Sequence, residues 1–485
     1  MTMPFHLVES SSMSVSGLAR SASLGARPPA PTPNDAPLGS LSFLIRFWRN
    51  PLTTWTRQNF ELPIIQADGV LGRVAVVCEP AAIRRIFIDN VANYRKDALQ
   101  VRVLSPGLGE GLLMVEGDDW RVQRRALAPL FTPRTVEAFA PAMVASAQWL
   151  LDRWSDMRPD MRVNIAAEMS LATLEVLQRS IFPEGLAREP GQFARAMSDF
   201  FNSTGRLHPF DLLGAPAWLP RLGKRSSAPA LKFFTDAIDD IMKERRRALV
   251  TLATANDPPP RDLLTMLLNA KDPQTGEGLT ERQIRANVLA FIAAGHETTA
   301  NTLTWSLFLL SQHPAWRELV QREIEEVLGG GPFEAIEIER LPCVRATIEE
   351  ALRLYPPAPS LSREAIGSDT LAGQTIRSGT LVVVSPYVLH RHRLLWRDSE
   401  FFDPTRFMPG QRESIDRFAY LPFGAGPRVC IGMGFALQEA IIILAMILRE
   451  YQPDLVPGHK VTPIQRITLR PQGGMPMLLQ RRVRT

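Results

Sequence analysis

The ten residues Phe423-Gly424-Ala425-Gly426-Pro427-Arg428-Val429-Cys430-Ile431-Gly432 constrain this chain more than any other stretch. Three glycines and a proline crowd one cysteine, and a long apolar run follows at once. The pattern predicts a tight loop that delivers Cys430 to the first turn of a helix running from Phe435 to Glu450. A helix N-terminus carries partial positive charge, which favours a thiolate there. Glycine tolerates backbone conformations that other residues resist, so loop N–H groups can approach the sulfur closely. Thiolates suit soft metal centres, and a single axial cysteine is one way to hold heme iron. The competing reading is a buried, inert cysteine packing as a small hydrophobe.

Of the other cysteines, neither Cys78 nor Cys343 forms a close sequence pair with another, so no disulfide frame or paired-cysteine zinc site is indicated. A reducing, cytoplasmic setting is expected. The net charge of +5 over 485 residues gives no case for nucleic-acid binding. No stretch approaches the roughly 20 apolar residues that span a bilayer. The longest apolar run, Ala440 to Leu448, lies inside the helix after Cys430 and reads as core. The N-terminus lacks the sustained apolar core of a signal peptide. Residues 1–38, rich in serine, alanine and proline, read as a disordered tail, with Glu9 and the prolines counting against a transit peptide. Residues 39–485 then form a single domain.

Along that domain, Pro63 to Gln66 and Arg73 to Val77 read as a hairpin turning at Asp68-Gly69, and Pro80 to Asn90 as a short amphipathic helix. Trp120 opens a helix toward Pro129, and Trp120 and Arg124 share one of its faces. Two N–H donors so placed can grip a carboxylate; the plainer reading is a solvated basic helix. Residues 135–255 read as amphipathic helices broken near Pro183, Pro209 and Pro216. Thr280 opens the longest helix, with Gln283 at the capping-box position, and His313-Pro314 stops it near Gln312. Its centre is Ala293-Ala294-Gly295-His296-Glu297-Thr298-Thr299. Gly followed by Thr-Thr invites a local widening. A groove with small walls beside an acid and a hydroxyl suits dioxygen and proton relay. His296-Glu297 suggests a zinc-protease helix, but its second histidine would fall on Ala300. Helices are also expected over Ala315–Leu328 and Leu341–Leu354, the latter carrying Glu350 and Arg353 at the spacing of an ordinary surface ion pair. His390 and His392 read as loop residues without a metal role.

Phe423, Gly424, Gly426, Arg428, Cys430 and Gly432 together resemble the heme-binding signature of the cytochrome P450 family. Three further motifs agree in the right order. Ala294-Gly295-X-Glu297-Thr298 resembles the family's oxygen-activation motif. Glu350-X-X-Arg353, with Arg406, resembles its Glu-Arg-Arg lock, assigned to folding and heme retention. Trp120 and Arg124 resemble the pair that holds a heme propionate, and Lys96, Arg363 and Arg428 fall where relatives make further propionate contacts. The resemblance spans about Leu41 to Arg482. It implies a mainly α fold with a smaller β subdomain, a long central helix over the heme and the cysteine loop on the proximal side. The cofactor it implies is heme b (iron protoporphyrin IX), with Cys430 as iron ligand and Ala294, Phe423, Gly424 and Gly432 beside it. A lid over Phe200–Arg225 and a closing hairpin at Ile467–Met475 complete the expected pocket, whose walls include Phe291, Ala358 and Pro359.

The function this implies is a heme-thiolate monooxygenase. It inserts one atom of O2 into an apolar organic substrate, with Glu297 and Thr298 delivering protons. Fatty acids, terpenoids and aromatics are all open as substrates. The chain leaves no room for a redox domain, so a separate ferredoxin and an NAD(P)H-dependent ferredoxin reductase are implied, docking on Arg121, Arg125 and Arg134. A monomer without a membrane span is expected. The alternatives are a peroxide-driven or isomerase-type heme-thiolate enzyme, against which the intact acid–alcohol pair argues, and a heme sensor or carrier.

Overall fold

The Gln283 N–H donates to the Thr280 hydroxyl (3.3 Å) while the Thr280 N–H donates to the Gln283 side chain (2.9 Å). This capping box starts a helix of 32 residues, Glu281–Gln312, which ends at His313-Pro314 as its sequence predicts. At 1.5 Å per residue the rod is about 48 Å long. Its central half is buried almost all round, because other helices pack along it.

The computed structural model describes residues 25–158, 161–182, 209–212, 227–255, 257–331 and 333–482. Residues 1–24 and most of the expected lid lie outside them; Pro209–Leu212 is a short helix with Phe210 exposed. Helices of ten or more residues are α1 (Ser40–Arg49), α2 (Ala98–Leu108), α3 (Gly117–Leu127), α4 (Ala140–Ser155), α5 (Ile165–Ile181), α6 (Ser227–Ala255), α7 (Glu281–Gln312), α8 (Pro314–Leu328), α9 (Pro342–Leu354) and α10 (Met433–Glu450). Strands are β1 (Ile64–Gly69), β2 (Gly72–Val77), β3 (Tyr94–Arg95), β4 (Arg162–Asn164), β5 (Leu361–Ala365), β6 (Asp369–Leu371), β7 (Gln374–Ile376), β8 (Leu381–Val384), β9 (Tyr451–Leu455), β10 (Pro463–Gln465), β11 (Leu469–Pro471) and β12 (Pro476–Arg481). The main sheet runs β1-β2-β8-β5-β3, parallel only between β2 and β8. A second sheet runs β4-β12-β9. The fold is mainly helical with smaller sheets, as expected.

Several boundaries move. The first hairpin turns at Val70-Leu71, since Asp68 and Gly69 are still paired, with Arg73 and Gly72. Helix α3 starts one turn before Trp120, at Gly117. Pro80–Arg84 is α-helical, but Arg85–Asp89 widens into a π turn. Helices α8 and α9 each take their proline as first residue, where its missing N–H costs nothing. Residues 25–38, read from composition as tail, lie against the body. The Tyr355 hydroxyl donates to Pro29 O (2.9 Å), Arg27 pairs with Glu400, and the Asn34 side chain donates to Thr53 O (2.9 Å) and Trp55 O (3.0 Å). Proline-rich backbone needs few internal hydrogen bonds, so an extended strap can be held by side chains of the body.

Glu350 and Arg353 are fully buried, so their pair is no surface contact. Arg353 makes two bonds of 2.6 Å to the Glu350 carboxylate. Its remaining N–H groups donate to His390 O (2.8 Å), Ser399 O (2.6 Å) and Phe401 O (2.7 Å). The Asp403 N–H donates to Glu350 (2.8 Å), while Arg406 stands 3.8 Å away as a charge rather than a hydrogen-bond partner. The pair thus ties α9 to the irregular segment after β8. Truncating one member leaves the other charge buried and unmatched, which costs about 3–5 kcal/mol. Arg353→Met should therefore lower the urea midpoint by that free energy at unchanged slope. A loss under about 1 kcal/mol would show that the segment is held by other contacts.

Candidate active site

The Cys430 loop is built by backbone bonds. The Cys430 N–H donates to Phe423 O (2.9 Å), Val429 to Gly426 O (3.1 Å) and Gly424 to Leu421 O (3.2 Å). Gly424 (φ 76°) and Gly426 (φ 71°) occupy the left-handed region that makes so tight a loop. Helix α10 begins at Met433 with Gly432 as its N-cap, two residues earlier than expected. Cys430 therefore precedes the first turn instead of lying in it. The nine residues Ala440 to Leu448 are buried core.

Cys430 is the exposed cysteine; Cys78 is buried and Cys343 partly so. The inert-hydrophobe reading fits Cys78, whose thiol burial pushes up to about 12. Cys430 is exposed, yet protein rings its sulfur closely enough that poor solvation pushes that thiol up too. The Gly432 N–H and the Arg124 guanidinium pull it down without cancelling the rise. The helix terminus favours the thiolate as expected, through the Gly432 N–H, and burial outweighs it. A metal cation against the sulfur would favour the thiolate further.

Cations gather beside the loop. Lys96 is buried, and its ammonium donates to Val115 O (3.0 Å), the carbonyl that Arg428 also donates to (3.1 Å). Arg428 stacks over the Trp120 ring at 4.6 Å, and Arg363 over Phe87 at 5.3 Å. Burial lowers Arg124, Arg363 and Arg428 from their ordinary values. Burial, with Arg428 and Arg363 adding repulsion, takes Lys96 down to about 7. Two carboxylates answer these four cations. Glu116 accepts from the Lys96 N–H (3.0 Å) and stands 3.7 Å from Arg428, while Asp97 is bonded to the Ser362 hydroxyl (2.5 Å) and the Gln100 N–H (2.9 Å). The excess of positive charge in this half-buried space fits a ligand carrying carboxylates. Together with the exposed thiol of Cys430, this donor set fits heme.

Phe131 connects the loop to α7. It lies 3.9 Å from where a Gly432 side chain would start, and its ring meets Phe291 edge-on at 5.3 Å. One turn on, Ala294 is exposed and Gly295 faces α5, where a Cβ on it would stand 3.3 Å from Leu177. The Thr298 hydroxyl donates to Ala294 O (2.6 Å), and α7 stays α-helical throughout, so the expected widening does not form. A threonine hydroxyl can share the carbonyl of the preceding turn without breaking the ladder. His296 turns to Ser170 Oγ (2.9 Å). Glu297 turns away from Thr298 toward the closing hairpin, where Arg470 of β11 stands 3.3 Å from its carboxylate and Thr468 bonds to it. Burial raises the Glu297 carboxyl, and these two partners limit the rise.

The structure thus brings Lys96, Trp120, Arg124, Arg363, Phe423, Gly424, Arg428, Cys430 and Gly432 to one loop, and sets Ala294 and Thr298 on α7 opposite Phe131. Pro359 is buried and Ala358 half-buried before β5. Of the three arginines expected on the proximal side, Arg125 is bound bidentately to buried Asp272 (2.8 and 2.5 Å) and is structural. Arg121 pairs with Asp118, and Arg134 is exposed. Sequence reasoning missed Arg470 and a polar clamp between α3 and α7. In that clamp Asn287 donates to Gln123 (2.8 Å) and accepts from the Leu112 N–H (2.8 Å), while Gln123 donates to Glu110 O (2.9 Å). Asn287 within an apolar stretch of α7 was the available signal; Arg470 left none.

A family model described as Cytochrome P450 matches residues 30–477. Human Cytochrome P450 4F12 is 32% identical over 421 residues, covering 82% of this chain and 79% of that one. Cyclooctat-9-en-7-ol 5-monooxygenase of Streptomyces melanosporofaciens is 30% identical over 428 residues, covering 88% and 90%. The crystal structure of the cytochrome P450DA heme domain matches with a TM-score of 0.79 at 25% identity, covering 94% of this chain and 98% of that one.

The two loop glycines differ in a measurable way. A Cβ on Gly426 would stand 2.0 Å from Phe87 O, whereas on Gly424 it would meet only Leu361 at 3.9 Å. Gly424→Ala should cost roughly 1–2 kcal/mol, the cost of a left-handed non-glycine residue. Gly426→Ala adds displacement of the Phe87 backbone and should cost several-fold more in chemical denaturation. Equal losses would mean that the loop and Phe87 are not in fixed contact.

Proposed function

This chain belongs to the cytochrome P450 family, and on that premise we propose that it is a heme-thiolate monooxygenase whose heme b is held by Cys430 and by the Lys96, Trp120, Arg124, Arg363 and Arg428 shell. The observation that carries the reading is the gathering of Lys96, Arg428, Trp120 and Arg363 beside the loop that presents the exposed Cys430. When bound, the heme supplies dioxygen activation and transfer of one oxygen atom to an apolar organic substrate. The chain supplies everything around that chemistry. Phe423, Gly424 and Gly432 hold the thiolate loop, and the cations fix the carboxylate edge. Thr298 presents a hydroxyl on the groove side of α7. Glu297, lifted by burial, stands closer to a working proton donor at neutral pH than an ordinary carboxylate. Electrons come from a separate ferredoxin and its reductase, with exposed Arg134 as the retained basic contact and Arg125 excluded by its tie to Asp272. A monomer in the cytoplasm suffices for this scheme.

The test is the carbon monoxide difference spectrum of the reduced protein beside Cys430→Ala. A strongly red-shifted Soret band that disappears in the variant supports the assignment. A band at the position of histidine-ligated heme, or no heme, overturns it.

Thr298→Ala should bind heme normally and consume electrons, but release more hydrogen peroxide and less product, with Thr298→Ser restoring coupling. Product formation still matched to electron use in Thr298→Ala would remove the hydroxyl from the proton path.

A further inference from the structure

Helix α1 contains no buried residue. At 100° per residue its ten positions divide into three stripes. Phe43, Leu44 and Phe47 are half-buried and face the body, the two phenylalanine rings 5.4 Å apart. Leu41, Ile45 and Trp48, at i, i+4 and i+7, form a second apolar stripe that is exposed by 71, 42 and 47%. Ser42, Arg46 and Arg49 form the third. The helix carries no acid. Arg46 donates one N–H to Asn34 Oδ1 (2.7 Å), and Arg466 donates to Arg49 O (2.8 Å) at the C-terminal end. The nearby Asp35 is already paired with Arg57. Asn50, just past the helix, is bonded to Pro463 O (3.1 Å) and the Gln465 N–H (3.0 Å), so α1 is fixed to β10 while its outer stripes face outward.

We propose that α1 is a docking surface for an anionic lipid membrane, lying in the interface plane. Leu41, Ile45 and Trp48 enter the boundary between headgroups and acyl chains. Arg46 and Arg49 pair with lipid phosphates. An apolar stripe edged by cations, on a helix too short to span, is the pattern of an interfacial helix. The charge decides between occupants. Two copies of α1 facing each other would oppose like charges. Residues 1–24 hold one Glu and one Arg and so offer no complementary charge. An anionic lipid surface matches both stripes, and the inference stands independently of the chemistry proposed at Cys430.

The test is flotation of the full chain with vesicles of phosphatidylcholine alone and of phosphatidylcholine with added phosphatidylglycerol. Each arginine near an anionic surface contributes about a factor of five. Two should make binding to the anionic vesicles roughly 25-fold tighter, and added salt should weaken it. Ile45→Glu should abolish binding. Arg46→Gln with Arg49→Gln should weaken it on anionic vesicles and leave the faint binding to phosphatidylcholine as it was. Both variants should keep the wild-type circular dichroism, since Ile45 is exposed and Arg46 gives up only one exposed bond, to Asn34. No flotation on either vesicle overturns the proposal, as does binding indifferent to lipid charge. So does binding that survives Ile45→Glu but is lost on deleting residues 1–24. Sedimentation showing a dimer that Ile45→Glu dissociates, without flotation, assigns the face to a second copy instead.

Discussion

Charge taken out of water has to be met by opposite charge, and the protein meets it very differently in its frame and at its centre. At three places in the frame the accounts close locally. Glu350 has Arg353 and the Asp403 N–H, Asp272 has Arg125, and buried Asp262 has Arg245 at 2.9 Å. Around Cys430 they do not close. A thiolate there has one N–H and one guanidinium against heavy desolvation, and four cations have two carboxylates. A bare metal ion would answer the sulfur but add to the cationic excess. A simple dicarboxylate would answer the cations and leave the sulfur protonated. A single cofactor with a metal at its centre and carboxylates at its edge answers both, and the two deficits sit on one loop because Arg428 and Cys430 are two residues apart.

Much of this was legible in the sequence wherever a local rule governs. Thr280 and Gln283 form their capping box, His313-Pro314 stops α7, and the glycines of the Cys430 loop take the left-handed conformations that their residue type permits. What could not be read is what depends on partners far along the chain. The Arg125–Asp272 tie joins residues 147 apart, and Glu297–Arg470 joins residues 173 apart. Neither arginine differs locally from a solvated one. The same blindness made residues 25–38 a tail, because composition cannot show that Tyr355 will reach Pro29. Glu350–Arg353 is the reverse case, a pair whose role as a lock came from the family resemblance and not from its spacing. Its spacing suits a weak surface pair, and only burial distinguishes it from one.

Helices α1 and α10 show why apolar content alone places nothing. The nine-residue run of α10 is the most apolar stretch in the chain and lies wholly inside, whereas α1 is interrupted by arginines and leaves an apolar stripe outside. The difference is in what flanks each run. Strands and helices surround α10 on all sides, while α1 has a body-facing stripe of its own in Phe43, Leu44 and Phe47, which frees the next stripe from packing duty. No described helix is long and apolar enough to cross a membrane, and α1 needs no such length to lie upon one.

The parallel pairing of β2 with β8 has a consequence for how the chain comes to its fold. Val74 aligns with Leu381, so the middle of the main sheet joins segments about 300 residues apart. During synthesis at about 5–20 residues per second, β2 and its hairpin partner β1 wait roughly 15–60 seconds for that neighbour. Throughout the wait they form a two-stranded ribbon with one edge open, a structure that is marginal in water and prone to pair with other chains. Nascent-chain quality, and with it the yield of active protein in a foreign host, then rests on shielding residues 64–77 until the last third of the chain emerges.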